Sequence, residues 1–169
     1  MTVIAEHLRV AQLQRLGLSQ ALVRLAAGDC VHEVFRGRCL GPPFHVYHGA
    51  RVPEGPQLVP LWEQDGRACG VWEDDGGLAF VESSIELPDA FELVARTEQG
   101  FWATRFDFLV ECEVSGPLLE EAARRVGFRF LERQLDAMDE AGSQVGSFLG
   151  HRSWLKELVA GIDRDAHEG

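Results

Sequence analysis

The chain has 169 residues, 46% hydrophobic and 25% charged, with 27 acids against 16 bases and a formal charge of −11. That length fits one globular domain with a core of its own, and the acid surplus argues against phosphate-mediated nucleic-acid binding and against an anionic membrane surface. No apolar run approaches the roughly 18 residues of a membrane span, and the opening MTVIAEHLRV lacks a signal-peptide layout, so a cytoplasmic location is expected.

The first segment, 2–16, reads as helical without a clean apolar stripe. Ser19 is placed to cap a second helix, in which Ala21, Leu22, Leu25 and Ala26 share a face and Gly28 marks the stop. Pro42, Pro43, Pro53 and Pro56 break helices, so 41–57 reads as loops around a short strand, Phe44–Tyr47. The runs LVPLWE, ACGVWED and LAFVESSIE follow, separated by Gln64-Asp65-Gly66 and Asp74-Asp75-Gly76-Gly77. Connections that short dictate an antiparallel meander. Apolar residues on both strand faces imply cover on both sides, at least in part.

Helical spacing then takes over. Trp102, Phe106 and Leu109 align after Thr97-Glu98-Gln99-Gly100. Pro117 suits a helix start and Gly127 a stop, with Leu118, Leu119, Ala122, Ala123 and Val126 as the stripe between them. Phe128, Leu131, Leu135 and Met138 form another stripe. A Gly/Ser-rich loop spans 141–150, and Ser153 opens a last helix with Trp154, Leu155, Leu158, Val159 and Ile162 inward. Trp102 and Trp154 are therefore expected in the core. Helices, a meander and more helices make an α+β layout: a single domain over 1–169, with a central mainly antiparallel sheet packed by N- and C-terminal helices.

Charge is unevenly distributed. Residues 54–113 hold 14 acids against Arg67, Arg96 and Arg105, a net of −11 that equals the surplus of the whole chain. Such a field steers a basic partner, or serves solubility alone.

Four cysteines, Cys30, Cys39, Cys69 and Cys112, form no CxxC pair and read as reduced, buried thiols. Cys30, His32, Cys39, His45 and His48 contain two close pairs and are the candidate metal ligands, although their spacing matches no zinc-finger pattern. His32-Glu33 opens like HExxH, but Arg36 stands in place of the second histidine. The run from Gly142 to Ser147 is one residue short of a phosphate loop and lacks its lysine, and no GxSxG or GxGxxG occurs. The carboxylates Glu63, Glu73, Asp74, Asp75, Glu82 and Glu86 lie at strand ends and turns, where solvated charge is the ordinary outcome. Trp62 and Trp72 each precede a glutamate on neighbouring strands, and are either core or an exposed aromatic anchor ringed by acids.

Pro60-Leu61-Trp62-Glu63, the Gly70-Val71-Trp72 strand, Ile85-Glu86 and Ala95-Arg96-Thr97-Glu98-Gln99-Gly100 before a helix resemble the SUKH superfamily, whose bacterial members include immunity-type proteins. The resemblance covers about a third of the chain, 58–113. It implies an α+β domain without enzymatic activity or cofactor that neutralises a co-encoded toxin, often a nuclease or deaminase, by binding it. An acidic surface would complement the basic cleft of such a partner. The expected docking surface is one sheet edge formed by Glu63, Glu73, Asp74 and Asp75 beside whichever of Trp62 and Trp72 is exposed. Two alternatives stand beside it: a small metal-dependent enzyme built on the 30–48 cluster, and a regulatory adaptor in a cytoplasmic complex.

Overall fold

Turn chemistry sets the sheet. In the computed structural model, which describes residues 2–43, 57–64, 66–87, 90–142 and 146–168, three eight-residue strands run back and forth: β2 (Gln57–Gln64), β3 (Arg67–Asp74) and β4 (Gly77–Ser84). The β3–β4 turn closes where Asp74 Oδ1 accepts the Gly76 N–H at 2.8 Å and Gly77 takes φ +94°, a conformation that favours glycine. Two further strands extend the meander on either side. β5 (Glu92–Ala95) pairs antiparallel with β4, and β1 (Thr2–Val3) pairs parallel with β2, giving the order β1-β2-β3-β4-β5.

One face of the sheet belongs to the main core through Val59, Leu61, Trp62, Cys69, Val71 and Phe80. The other buries Leu58, Ala79 and Val81, with Val3, Trp72 and Phe91 against them, so both faces are covered as the alternation implied. A β-bulge between Pro60 and Trp62 inserts Leu61 as an extra residue, which lets Leu61 and Trp62 both enter the main core.

Among the described residues, six α-helices pack around the sheet. They are α1 (Arg9–Arg15), α2 (Gln20–Ala26), α3 (Glu98–Glu111), α4 (Gly116–Val126), α5 (Leu131–Ala141) and α6 (Phe148–Glu168). Ser19 caps α2 through its hydroxyl and Thr97 caps α3, while Gly127 ends α4 at φ +72°. α3 lies at the centre of the packing. Phe101 stacks on Phe80 at 4.7 Å, Trp102 meets Phe35 at 5.8 Å, and Phe106 stacks on Phe128 at 4.9 Å. A continuous core runs from Ile4 through the sheet to Ile162, so the architecture is the expected single-domain α+β fold.

Several local expectations are corrected. The N-terminal segment is not one helix: β1 and a short 3-10 turn (Glu6–Leu8) precede α1, because the first residues find a free edge of β2. β5, only four residues long, carried no clear alternation. α6 begins at Phe148 rather than Ser153, with the Ser147 hydroxyl accepting the Gly150 N–H at 3.1 Å. Trp102 is fully buried, but Trp154 is half-buried and packs against the core from outside, stacked on His151 at 5.6 Å. Cys39 and Cys69 are buried thiols, whereas Cys30 and Cys112 are partly exposed; none of the four is in a disulfide. The strand expected at Phe44–Tyr47 lies outside the described residues. Among those described, no helix is long and apolar enough to cross a membrane.

Candidate functional site

The acidic docking edge does not form as expected. Glu63 pairs in register with Ala68 beside the β2–β3 turn, while Glu73, Asp74 and Asp75 sit at the β3–β4 turn. Five steps along β3, from Ala68 to Glu73, separate the two positions, roughly 17 Å at the rise of an extended strand. The two groups therefore occupy opposite ends of the sheet. The expectation failed because strands joined by one turn share only that end, and the acids flank two successive turns.

The side chains at the β3–β4 turn are also partly neutralised. Asp74 Oδ1 meets Arg96 at 2.7 Å, and its Oδ2 accepts the Trp72 indole N–H at 3.3 Å. Arg96, followed by the Gly76 N–H, holds the Asp74 carboxyl below its ordinary range. Glu73 faces Arg15 at 3.7 Å across exposed side chains, and Asp75 is exposed. Trp62 is fully buried against Phe101 and is not an anchor. Trp72 is half-buried, edge-on to Phe91 at 5.7 Å.

The 30–48 cluster does not converge among the described residues. Cys30 donates to the His32 carbonyl oxygen at 3.0 Å. His32 Nδ1 accepts the Val34 N–H, and its Nε2 lies 3.8 Å from Glu121. Cys39 is buried and points its thiol at Gln64, 3.7 Å away. His45 and His48 lie outside the described residues.

Another concentration of polar chemistry lies elsewhere among the described residues. A cleft of about 370 Å³ opens between β4, β5, α3 and α6. Its floor is a buried ion pair. Glu82, from β4, receives Arg105 from α3, the Arg67 guanidinium at 3.3 Å and the Cys69 thiol at 3.6 Å. Arg105 also lies over the Phe101 ring, 5.3 Å from its centroid. Burial is the largest influence and opposes the Arg105 charge, but the Glu82 carboxylate together with Cys69 and Cys39 outweighs it and pushes the guanidinium above its ordinary value. Desolvation dominates for the neighbouring thiols, pushing Cys39 up to about 12 and Cys69 well up.

One wall is a histidine between two carboxylates. His151 Nε2 lies 2.9 Å from Asp107 Oδ1, and its Nδ1 lies 3.2 Å from Glu111 Oε1. Asp107 and Glu111, four apart, project from one face of α3 towards the first turns of α6. Burial raises the Asp107 carboxyl, partly countered by His151. The opposite wall is Glu92 of β5, which Arg152 and Lys156 of α6 grip at 2.6 and 2.8 Å. At the mouth are exposed apolar side chains: Leu93, 45% accessible, and Phe148, 72%, with Leu149, 76%, next in the chain.

None of the cleft's charged residues was singled out from sequence except Glu82, which was read as one of several solvated carboxylates. The Asp107/Glu111 spacing was visible in principle. Its partner His151 stood one residue past a stretch that read as loop, so no helix face connected them. Comparison with protein-family models, curated proteins and solved structures finds no match to this chain.

Proposed function

We propose that the protein is a non-enzymatic binding module of the immunity type, which neutralises a basic toxin domain, a nuclease or deaminase, by occupying it. The observation that carries the reading is the mouth of the β5–α6 cleft. Phe148 and Leu149 stand 72% and 76% accessible near the fixed charges of Glu92, Arg152 and Lys156. An exposed aromatic and aliphatic pair rimmed by ordered charges has the composition of an interface centre. The chain's charge of −11 supports a basic partner, whose association it would accelerate at low salt. The resemblance over 58–113 supports the immunity role. The working surface thus moves from the β3–β4 turn to the cleft mouth.

The test is co-purification and growth rescue with the toxin domain encoded beside this gene. A one-to-one complex and rescued growth are expected for the native chain and for Asp74→Asn/Asp75→Asn. Phe148→Asp/Leu149→Asp should lose both while retaining the native circular dichroism spectrum. Binding that survives the Phe148/Leu149 change but not the Asp74/Asp75 change would return the surface to the turn. Absence of any complex would overturn the reading.

A further inference from the structure

We propose that Asp107, Glu111 and His151 bind one divalent first-row transition-metal ion in the wall of the cleft, a site that does not depend on the protein-binding reading. The three side chains each offer a ligand atom, and these atoms lie within 4.8 Å of one another. The 2.9 Å between His151 Nε2 and Asp107 Oδ1 matches two donors held at right angles, each about 2.1 Å from a shared ion. The site is built on two packed helices. Asp107 and Glu111 are fixed by the pitch of α3, and stacking on Trp154 orients the His151 ring.

A second observation points the same way. The Asp107 side chain is only 5% exposed, and the residue lines the cleft. Burying a carboxylate is costly, and a cation bound in the cleft offsets that cost. Glu111 now faces the other ring nitrogen, Nδ1, so binding one ion through Nε2 requires this half-exposed side chain to leave Nδ1 and swing towards Asp107.

The donor set limits the ion. One imidazole and two carboxylates are too nitrogen-rich for calcium or magnesium, which favour oxygen ligands, and contain no thiolate for copper(I). Zinc, cobalt and manganese suit it, with affinity rising from manganese through cobalt to zinc. Three protein ligands leave at least one position free, and the adjoining 370 Å³ gives water or a small anionic ligand room to take it.

The test uses the full chain, free of any affinity tag and stripped with chelator. Zinc chloride is titrated calorimetrically, and cobalt chloride is followed by its visible absorption. One ion per chain is expected, bound more tightly for zinc than for cobalt. His151→Ala, Asp107→Asn and Glu111→Gln should each weaken zinc by at least about tenfold. Glu111→Gln lies at the exposed edge and keeps the assay interpretable if Asp107→Asn unfolds the chain. Cys30→Ser/His32→Ala should leave binding unchanged. Absence of saturable binding up to about 1 mM zinc overturns the site, as does binding that ignores all three ligand changes or is lost with Cys30 and His32.

Discussion

The carboxylate of Asp163 occupies the space that a side chain at position 100 would need. A Cβ built on Gly100 would come within 2.8 Å of the Asp163 Cγ and closer still to its Oδ1. That closeness lets Asp163, on α6, accept the backbone N–H groups of Arg96 and Thr97 at 2.7 and 2.8 Å and the Thr97 hydroxyl at 2.6 Å. The link between β5 and α3 is therefore tied to the last third of α6, and the register of the two cleft helices is set there.

Gly100→Ala should destabilise the fold by about 1–3 kcal/mol, the usual cost of an inserted methyl that forces a shift. Asp163→Ala should cost a similar amount by leaving buried donors unpaired. In an Asp163→Ala background the Gly100→Ala penalty should largely vanish, since the clashing atoms are gone. Denaturant unfolding of the four-member cycle measures this. Additive penalties would mean that the two residues act separately.

What the sequence carried of this arrangement was uneven, for identifiable reasons. The meander was legible because its turns combine aspartate with glycine and its strands are long. α4 was legible because proline, glycine and a clean stripe bracket it. β1 and β5 were not, since a two-residue and a four-residue strand acquire their identity from the edge they join. Trp62 looked the same as Trp72 because a bulge, invisible in the pattern, turns only Trp62 into the main core. The cleft was the least legible element. Its charges come from β4, β5, α3 and α6, and Asp107 meets His151 across 44 residues of chain.

The floor of the cleft predicts an asymmetric mutational response. Glu82 and Arg105 are 7% and 11% exposed, so their attraction is set against a large desolvation cost. Glu82→Ala leaves Arg105 buried without its counter-ion and should cost about 3–5 kcal/mol. Glu82→Leu combined with Arg105→Met removes both charges and should recover most of that loss. Equilibrium unfolding of the single and double variants decides it; equal losses would show that the pair is not acting as a unit.

Thiol chemistry should divide the four cysteines in two. Cys39 and Cys69 are buried and their thiols pushed up by desolvation, so at pH 8 they carry almost no thiolate. Cys30 and Cys112 are partly exposed. An aromatic disulfide reagent should titrate two thiols quickly in the native chain and the other two only on addition of denaturant. Four fast thiols would place Cys39 and Cys69 outside the core.

The Glu92 clasp should make the β5–α6 contact sensitive to acid. Its carboxyl is held below the ordinary glutamate value, first by the Arg152 hydrogen bond and then by Lys156. A group whose pKa is lower in the folded state binds its proton more readily when unfolded, so it stabilises the fold above its unfolded value of about 4.3. That contribution is lost as pH falls from there through the folded-state pKa. The native chain should thus lose thermal stability more steeply than Glu92→Gln only as pH falls below about 4.3, and the two curves should converge once Glu92 is protonated. Hydrogen exchange should show β5 amides losing protection first, because this edge strand is clasped from outside by Arg152 and Lys156. Parallel stability curves for the two proteins across that range would show that Glu92 contributes nothing through its charge.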